Sequence, residues 1–215
     1  MVQPHNIEAA VSPRCKAIVI VKPQNPTGAV TVRPTAEKID AIALCHEPII
    51  ISSEFYEHLA LIYALVKAKT ALPEMRQRTV TADVISKTYS MSGMAVDYLA
   101  APADFSTAAV ELRHMLSICA STMSQKAPLP HKRLGACVHN TLATYAVRRN
   151  FMIDDLNKLS IPSNRPKGAF FVFVDIQAPR PSFDFCVRLL PEEQVQVFKE
   201  TSTAQVEKGL CALPT

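Results

Sequence analysis

Lys87 is the residue whose type and position most clearly allow chemistry. It lies in the segment ISKTYSMSG (85–93), directly after the run Thr79 to Val84, which is typical of a strand. Ligands of α/β sheets bind beyond the carboxyl ends of the strands, and a lysine amine placed there can form a covalent bond with a carbonyl compound. A single lysine is more often a solvated surface amine, so the residue type alone leaves both interpretations open.

Two further polar side chains follow predicted strands in the same way. Asn25 stands in the turn sequence NPTG (25–28) after the run Lys16 to Val21, and its bond to Pro26 is a candidate for the cis form. Tyr56 follows the apolar run Pro48 to Ser52. An amide and a phenol can hydrogen-bond the same ligand oxygen. The alternatives are an ordinary Asn-Pro turn and an aromatic side chain packed at a strand end.

These three residues need a sheet that brings its strand ends together. Between the predicted strands, Thr35 to Cys45 has the apolar spacing of an amphipathic helix, with Thr35 as its cap. A further strand is predicted from Met94 to Ala100. This alternation of strand and helix predicts an α/β fold whose sheet has mostly parallel strands.

The pattern changes after Pro102, and the second part of the chain is predicted to be a smaller α+β unit. It combines helices over 103–125, 134–159, 183–190 and 203–210 with strands over 169–176 and 195–198. The segment Pro128 to Lys132 is the best candidate for a boundary. It divides the chain into residues 1–130 and 131–215.

Four segments resemble the pyridoxal-phosphate-dependent aminotransferases of class I and II, the fold-type-I group that includes aspartate aminotransferase. In chain order they are NPTGAV (25–30), IIISSEFYEHL (49–59), ISKTYSMSG (85–93) and PKGAFFVFVDI (166–176). The resemblance implies an incomplete large domain, with a mostly parallel sheet and flanking helices, plus a small α+β C-terminal domain. It also implies amino-group transfer between an amino acid and a 2-oxo acid, and a homodimer.

For the site, the resemblance implies pyridoxal 5′-phosphate as the cofactor. Lys87 would form the Schiff base with the cofactor aldehyde and move the proton released at the substrate Cα. Asn25 and Tyr56 would hydrogen-bond the phenolic oxygen of the cofactor ring. No metal ligand is expected.

Two positions depart from the family pattern at the cofactor. Ser53 stands where the family has the aspartate that keeps the ring nitrogen protonated, and Ala95 stands where it has the arginine that binds the phosphate. Family members also extend upstream with segments that complete the phosphate site. These differences predict an impaired enzyme. The alternative is a non-catalytic remnant that binds the cofactor weakly or pairs with an intact homologue.

The composition argues against several other classes of protein. The net charge is +4 and the 23 basic residues are scattered, whereas a nucleic-acid binder needs a basic face. The apolar runs are too short to cross a bilayer, and residues 1–13 lack a signal-peptide core, so we expect a cytoplasmic location. The six cysteines show no metal-ligand spacing and are expected to pack as small apolar side chains.

Overall fold

The computed structural model describes residues 3–61, 72–127, 131–176, 182–199 and 209–212. The strands are β1 (Ala17–Val21), β2 (Ile49–Ser53), β3 (Thr79–Val84), β4 (Asp97–Ala100), β5 (Val172–Asp175), β6 (Phe198–Lys199) and β7 (Gly209–Ala212). The helices are α1 (Pro4–Ala10), α2 (Arg33–His46), α3 (Ile85–Thr88), α4 (Ala103–Ser117), α5 (Thr122–Lys126), α6 (His131–Lys158) and α7 (Ser182–Glu193). Short 3₁₀ turns occur at Glu57–Leu59, Pro73–Arg78 and Ser92–Met94. Within these ranges no helix has the length and apolar character needed to cross a membrane.

A four-stranded sheet brings the predicted functional segments to one edge. Its order is β1-β2-β3-β4, with β1, β2 and β3 parallel and β4 antiparallel to β3. Val21 lies opposite Ser53, which in turn lies opposite Ala82. The carboxyl ends of the three parallel strands therefore lie side by side at the same edge of the sheet. The predicted α/β fold with a mostly parallel sheet and flanking helices is confirmed.

Helix α2 covers one face of this sheet. Ile39 and Ala43 are spaced four residues apart, are 1% and 0% exposed, and pack with Ile50 of β2 and with Met75. Burial of a side chain such as Ile39 contributes roughly 1.5–3 kcal/mol, which fixes the helix on the sheet.

The start of α2 differs from the expectation. The helix begins at Arg33 with Val32 as its cap residue, so the predicted cap, Thr35, lies inside the first turn. Pro34 accounts for the earlier start, because its φ is already helical and the first helical positions need no amide partner.

The C-terminal part forms a second, antiparallel sheet with the order β5-β7-β6. Ile153 of the 28-residue helix α6 packs against Val172 and Val174 of β5. The amide of Ala169 donates to the carbonyl of Leu59 at 3.0 Å, which joins this part to the loop after β2. A small α+β unit is therefore present, while the boundary between residues 130 and 131 stays a prediction.

Several other elements differ from their predicted extents. The helix expected over 103–125 is divided into α4 and α5, because Ile118 takes a φ of +58° that a continuous helix does not allow. The strand expected from Met94 begins at Asp97, and those over 169–176 and 195–198 shorten to β5 and β6. Of the helix expected over 203–210, residues 203–208 lie outside the described residues, and 209–210 belong to β7.

The cysteines also depart from the expectation. Cys45, Cys119 and Cys137 are exposed, whereas Cys15 and Cys186 are partly buried. Apolar neighbours in the sequence did not predict burial, because burial depends on which side of each helix or loop the residue occupies.

Candidate functional site

Three loops follow β1, β2 and β3 at the same edge of the sheet, and each carries one of the predicted site residues. Two hydrogen bonds extend the sheet beyond the strands. The amide of Lys22 donates to the carbonyl of Ser53 at 2.8 Å, and the amide of Glu54 donates to the carbonyl of Ala82 at 2.8 Å. The bases of these loops are therefore held at fixed spacing.

Lys87 lies on the single turn of helix α3, directly beyond β3, as predicted. Its side chain is partly buried, and its Nζ lies 6.0 Å from the ring centroid of Phe170. The next residue, Thr88, is 2% exposed, and its Oγ1 has no hydrogen-bond partner among the described residues. The amine thus lies at the rim of the packed interior, with an aromatic ring on one side.

Tyr56 is 6% exposed and belongs to an aromatic cluster. Its ring meets Phe170 and Phe171 edge to face, with centroid distances of 5.4 Å and 5.3 Å. Tyr145 of α6 stacks on Phe170 with a centroid distance of 5.7 Å. Phe170 therefore contacts both Tyr56 and Lys87, and it brings these two predicted site residues into one neighbourhood.

Asn25 is exposed in the loop after β1, and its bond to Pro26 is cis, as predicted. The loop is closed by hydrogen bonds from the amide of Gly28 to Gln24 at 2.7 Å and from the amide of Gln24 to Ala29 at 2.8 Å. The carbonyl of Gly28 accepts from the amides of Lys167 and Gly168 at 3.0 Å each. The loop that carries Asn25 is thus tied to the segment that carries Phe170.

Ser53 and Ala95 have neutral side chains at the two positions where a charged side chain was expected from the resemblance. Ser53 is the last residue of β2 and is partly buried, while Ala95 is exposed after the 3₁₀ turn and has a φ of +48°. The amine of Lys87 and the phenol of Tyr56 lie near one ring, while the amide of Asn25 is exposed in a separate loop. Serine and alanine provide no ionic partner for the nitrogen or the phosphate of a pyridoxal-type cofactor.

A row of ionisable side chains crosses the same edge of the sheet on the face that α2 covers, and motif matching did not find it. Lys22, Glu54, Asp83 and Tyr98 occupy neighbouring positions on β1 to β4 or just beyond their ends. The hydroxyl of Tyr98 donates to Asp83 Oδ2 at 2.6 Å, and Ser52 Oγ donates to Glu54 Oε1 at 3.0 Å. Only the strand register, which is not local in sequence, aligns these residues.

The pKa of Glu54, a member of this row, is raised above its ordinary value. Burial raises the pKa of Glu54 to about 7, helped by a proton shared with Glu57 and by the charge of Glu57. Burial lowers the pKa of Lys22, although the nearby carboxylates of Glu54, Asp40 and Glu57 oppose that shift. Burial and the hydrogen bond to Asp83 raise the pKa of Tyr98. Glu54 therefore keeps its proton up to a pH of about 7.

The chain is similar to known proteins over nearly all of its length. A family model described as aminotransferase class I and II matches residues 2–208. The aspartate aminotransferase of Pyrococcus abyssi is 32% identical over 93% of this chain and 52% of its own length. The putative aminotransferase YugH of Bacillus subtilis is 32% identical over 89% of this chain and 50% of its own length.

Solved aminotransferase structures have the same fold as this chain. The aromatic aminotransferase from Pyrococcus horikoshii superposes with a TM-score of 0.92 at 28% identity, over 99% of this chain and 58% of that one. The aspartate aminotransferase of Thermus thermophilus with maleate gives a TM-score of 0.84 at 28% identity, over 92% of this chain and 52% of that one. The chain thus spans about half the length of the curated relatives it matches.

Proposed function

The chain belongs to the class I and II aminotransferases, and from this we propose that it transfers an amino group between an amino acid and a 2-oxo acid, with pyridoxal 5′-phosphate held at Lys87. The observation that carries the proposal is the position of the Lys87 amine. It lies beyond β3, next to the ring that also packs on Tyr56. A homodimer and a cytoplasmic location are parts of the same proposal.

Each site residue has a separate role in this proposal. The Lys87 Nζ would hold the aldehyde of the cofactor as a Schiff base and, once the substrate amine has replaced it there, would accept the proton released at the Cα of the amino acid. Tyr56 and Asn25 would hydrogen-bond the ring oxygen and orient the ring. Phe170 excludes water from one side of the amine. The cofactor itself supplies an electron sink for the bond broken at Cα.

The activity is proposed to be weak, because two charged contacts of the family are replaced. A hydrogen bond to a charged group is worth about 1.5–3 kcal/mol, and Ser53 cannot provide that charge at the ring nitrogen. Ala95 likewise offers no guanidinium for a phosphate, which arginine binds with two parallel hydrogen bonds. Together these changes predict slow turnover and loose cofactor binding.

The alternative is a non-catalytic remnant that binds the cofactor weakly or pairs with an intact homologue. It is favoured by the simultaneous replacement of both charged positions and by the match to only about half of each relative. The enzyme proposal requires covalent attachment of the cofactor to Lys87, whereas the remnant proposal does not.

Titration with pyridoxal phosphate tests the attachment that the enzyme proposal requires. We expect a visible absorbance band to develop with the natural chain and to be lost in Lys87→Ala, because this variant lacks the amine that would form the Schiff base. Lys167→Ala is the matched control, since Lys167 is exposed next to the Gly28 loop, and it should keep the band. A natural chain without a band at saturating cofactor would exclude the enzyme proposal and leave the remnant.

A further inference from the structure

Two carboxylates and an imidazole lie close together where β2 and β3 end. The ligand atoms of Glu57, His58 and Asp83 are all within 4.8 Å of one another. Two ligands of one zinc ion are at most about 4.4 Å apart, because each is bound at roughly 2.0–2.2 Å. The three side chains therefore need only a small rotation to reach a common ion, and His58, which is exposed, can supply it.

Asp83 is oriented by hydrogen bonds to both of its carboxylate oxygens. The residue is 3% exposed; its Oδ1 accepts from the amide of Val84 at 2.7 Å, and its Oδ2 accepts from the hydroxyl of Tyr98 at 2.6 Å. A carboxylate has about four lone-pair sites, so these two bonds leave positions for an ion. Carboxylates that bind metals are held by outer hydrogen bonds of the same kind. Asp83 is therefore a preoriented ligand.

A further buried carboxyl group lies beside two of these ligands. The β2–β3 register, continued by one residue, places Glu54 next to Asp83 on the same face of the sheet, and the carboxyl of Glu54 also contacts that of Glu57. Glu54 is 3% exposed, and its Oε2 has no hydrogen-bond partner among the residues that the structure describes. A buried polar atom without a partner is costly. An ion bound between Glu57 and Asp83 would lie next to this oxygen and reduce that cost.

The charges in this region favour a bound cation. The ammonium of Lys22 interacts with three carboxyl groups, those of Asp40, Glu54 and Glu57. Asp83 adds a fourth acidic group at the neighbouring strand end. Like charges at short distance repel one another strongly where water is excluded, and a divalent ion is the largest local charge that can oppose them.

We propose that Glu57, His58 and Asp83 bind a divalent transition-metal ion, for which Zn²⁺ is the best match. The imidazole ligand favours such an ion over Mg²⁺ and Ca²⁺, which prefer oxygen ligands. The ion joins the turn directly after Tyr56 to the end of β3, four residues before Lys87 (87 − 83). It therefore holds together the two segments that carry these residues. The sequence predicted no metal ligand, because only the pairing of β2 with β3 brings Asp83 to the other two ligands.

Titration of the metal-free 215-residue chain with Zn²⁺ tests the site. We expect one ion to bind per chain and to raise the urea midpoint of unfolding, because the ion binds only the folded arrangement. His58→Ala should weaken binding about 100-fold or more, since loss of an outer hydrogen bond alone costs about 10–100-fold. Tyr98→Phe removes such a bond from Asp83 and should weaken binding about tenfold. The matched control is His46→Ala, which changes an exposed histidine at the end of α2 and should leave the affinity unchanged.

X-ray absorption at the zinc edge identifies the ligands, and circular dichroism verifies that the variants fold. We expect nitrogen and oxygen neighbours at about 2.0–2.2 Å. Sulfur neighbours would assign the ion to exposed thiols such as Cys45, Cys119 and Cys137 and would overturn the inference. Absence of binding, or equal weakening by His58→Ala and His46→Ala, would overturn it as well. Because the titration contains no pyridoxal phosphate, its failure is distinguishable from a missing absorbance band.

Discussion

Gly28→Ala is expected to lower the free energy of unfolding by about 3 kcal/mol and to reduce cofactor binding with it. Gly28 has a φ of +63°, where a side chain adds about 1–2 kcal/mol of strain. An added Cβ would also overlap Pro166 and lie 2.6 Å from the carbonyl oxygen of Gly168. Relief of that overlap requires the Asn25 loop to move away from the segment that carries Phe170.

Urea denaturation measures the stability change, and a pyridoxal phosphate titration measures the change in affinity. Gly135→Ala is the control, because a Cβ there meets nothing within 4 Å. It should be neutral or stabilising by up to about 1 kcal/mol, since Gly135 lies in helix α6. If Gly28→Ala were as stable as the control, the close contact between the two segments would not exist in solution.

Glu54→Gln is expected to make the protein more stable at pH 8 by about 2 kcal/mol and to have little effect at pH 5. The pKa of Glu54 is about 7 in the fold, against 4.5 for an ordinary glutamate. Glu54 therefore binds more protons in the folded state between these values, so its contribution to stability is highest below pH 4.5 and falls as the pH rises to about 7. Glutamine resembles the protonated acid and does not ionise, so the variant lacks this fall.

Denaturation curves from pH 5 to pH 8 test this prediction, and the quantity to compare is the difference between variant and natural chain. Glu8→Gln removes an exposed carboxylate on α1 and should give a difference that is nearly independent of pH. A Glu54→Gln difference that is equally flat would show that the pKa of Glu54 is not raised in the fold. The loss of attraction to Lys22 in the variant limits the gain at high pH.

The local parts of the fold followed from local patterns in the sequence. β1, β2 and β3 are short β-branched runs bounded by proline or polar residues, so their positions and the place of Lys87 beyond β3 were predicted closely. The family motifs added the order of the elements and the C-terminal unit. The roles of Asn25, Tyr56 and Lys87 stay predictions, although Phe170 brings two of them together.

The parts that were missed depend on long-range geometry. β4 is antiparallel because the turn at 92–94 reverses the chain, and nothing in its own residues specifies that direction. The α4–α5 break falls at Ile118, a β-branched residue with positive φ and no glycine or proline to mark it. The acidic partners of Lys22 become neighbours only through the strand register, the loop after β2 and the packing of α2 on the sheet. Phe170 was predicted only as part of a strand motif, because it lies 83 positions after Lys87 in the sequence (170 − 87).

The central claim is that the Lys87 amine is the point where the cofactor is held. In the most direct measurement, a mixture of the chain and pyridoxal phosphate is reduced with borohydride, so that cofactor bound to an amine becomes a permanent label. The protein is then digested, and the labelled peptide is identified by mass spectrometry. We predict that the label lies predominantly on the peptide that contains Lys87 and that Tyr56→Phe reduces its yield. A label spread over exposed lysines such as Lys158 and Lys167, with Lys87 unmodified, would contradict the account.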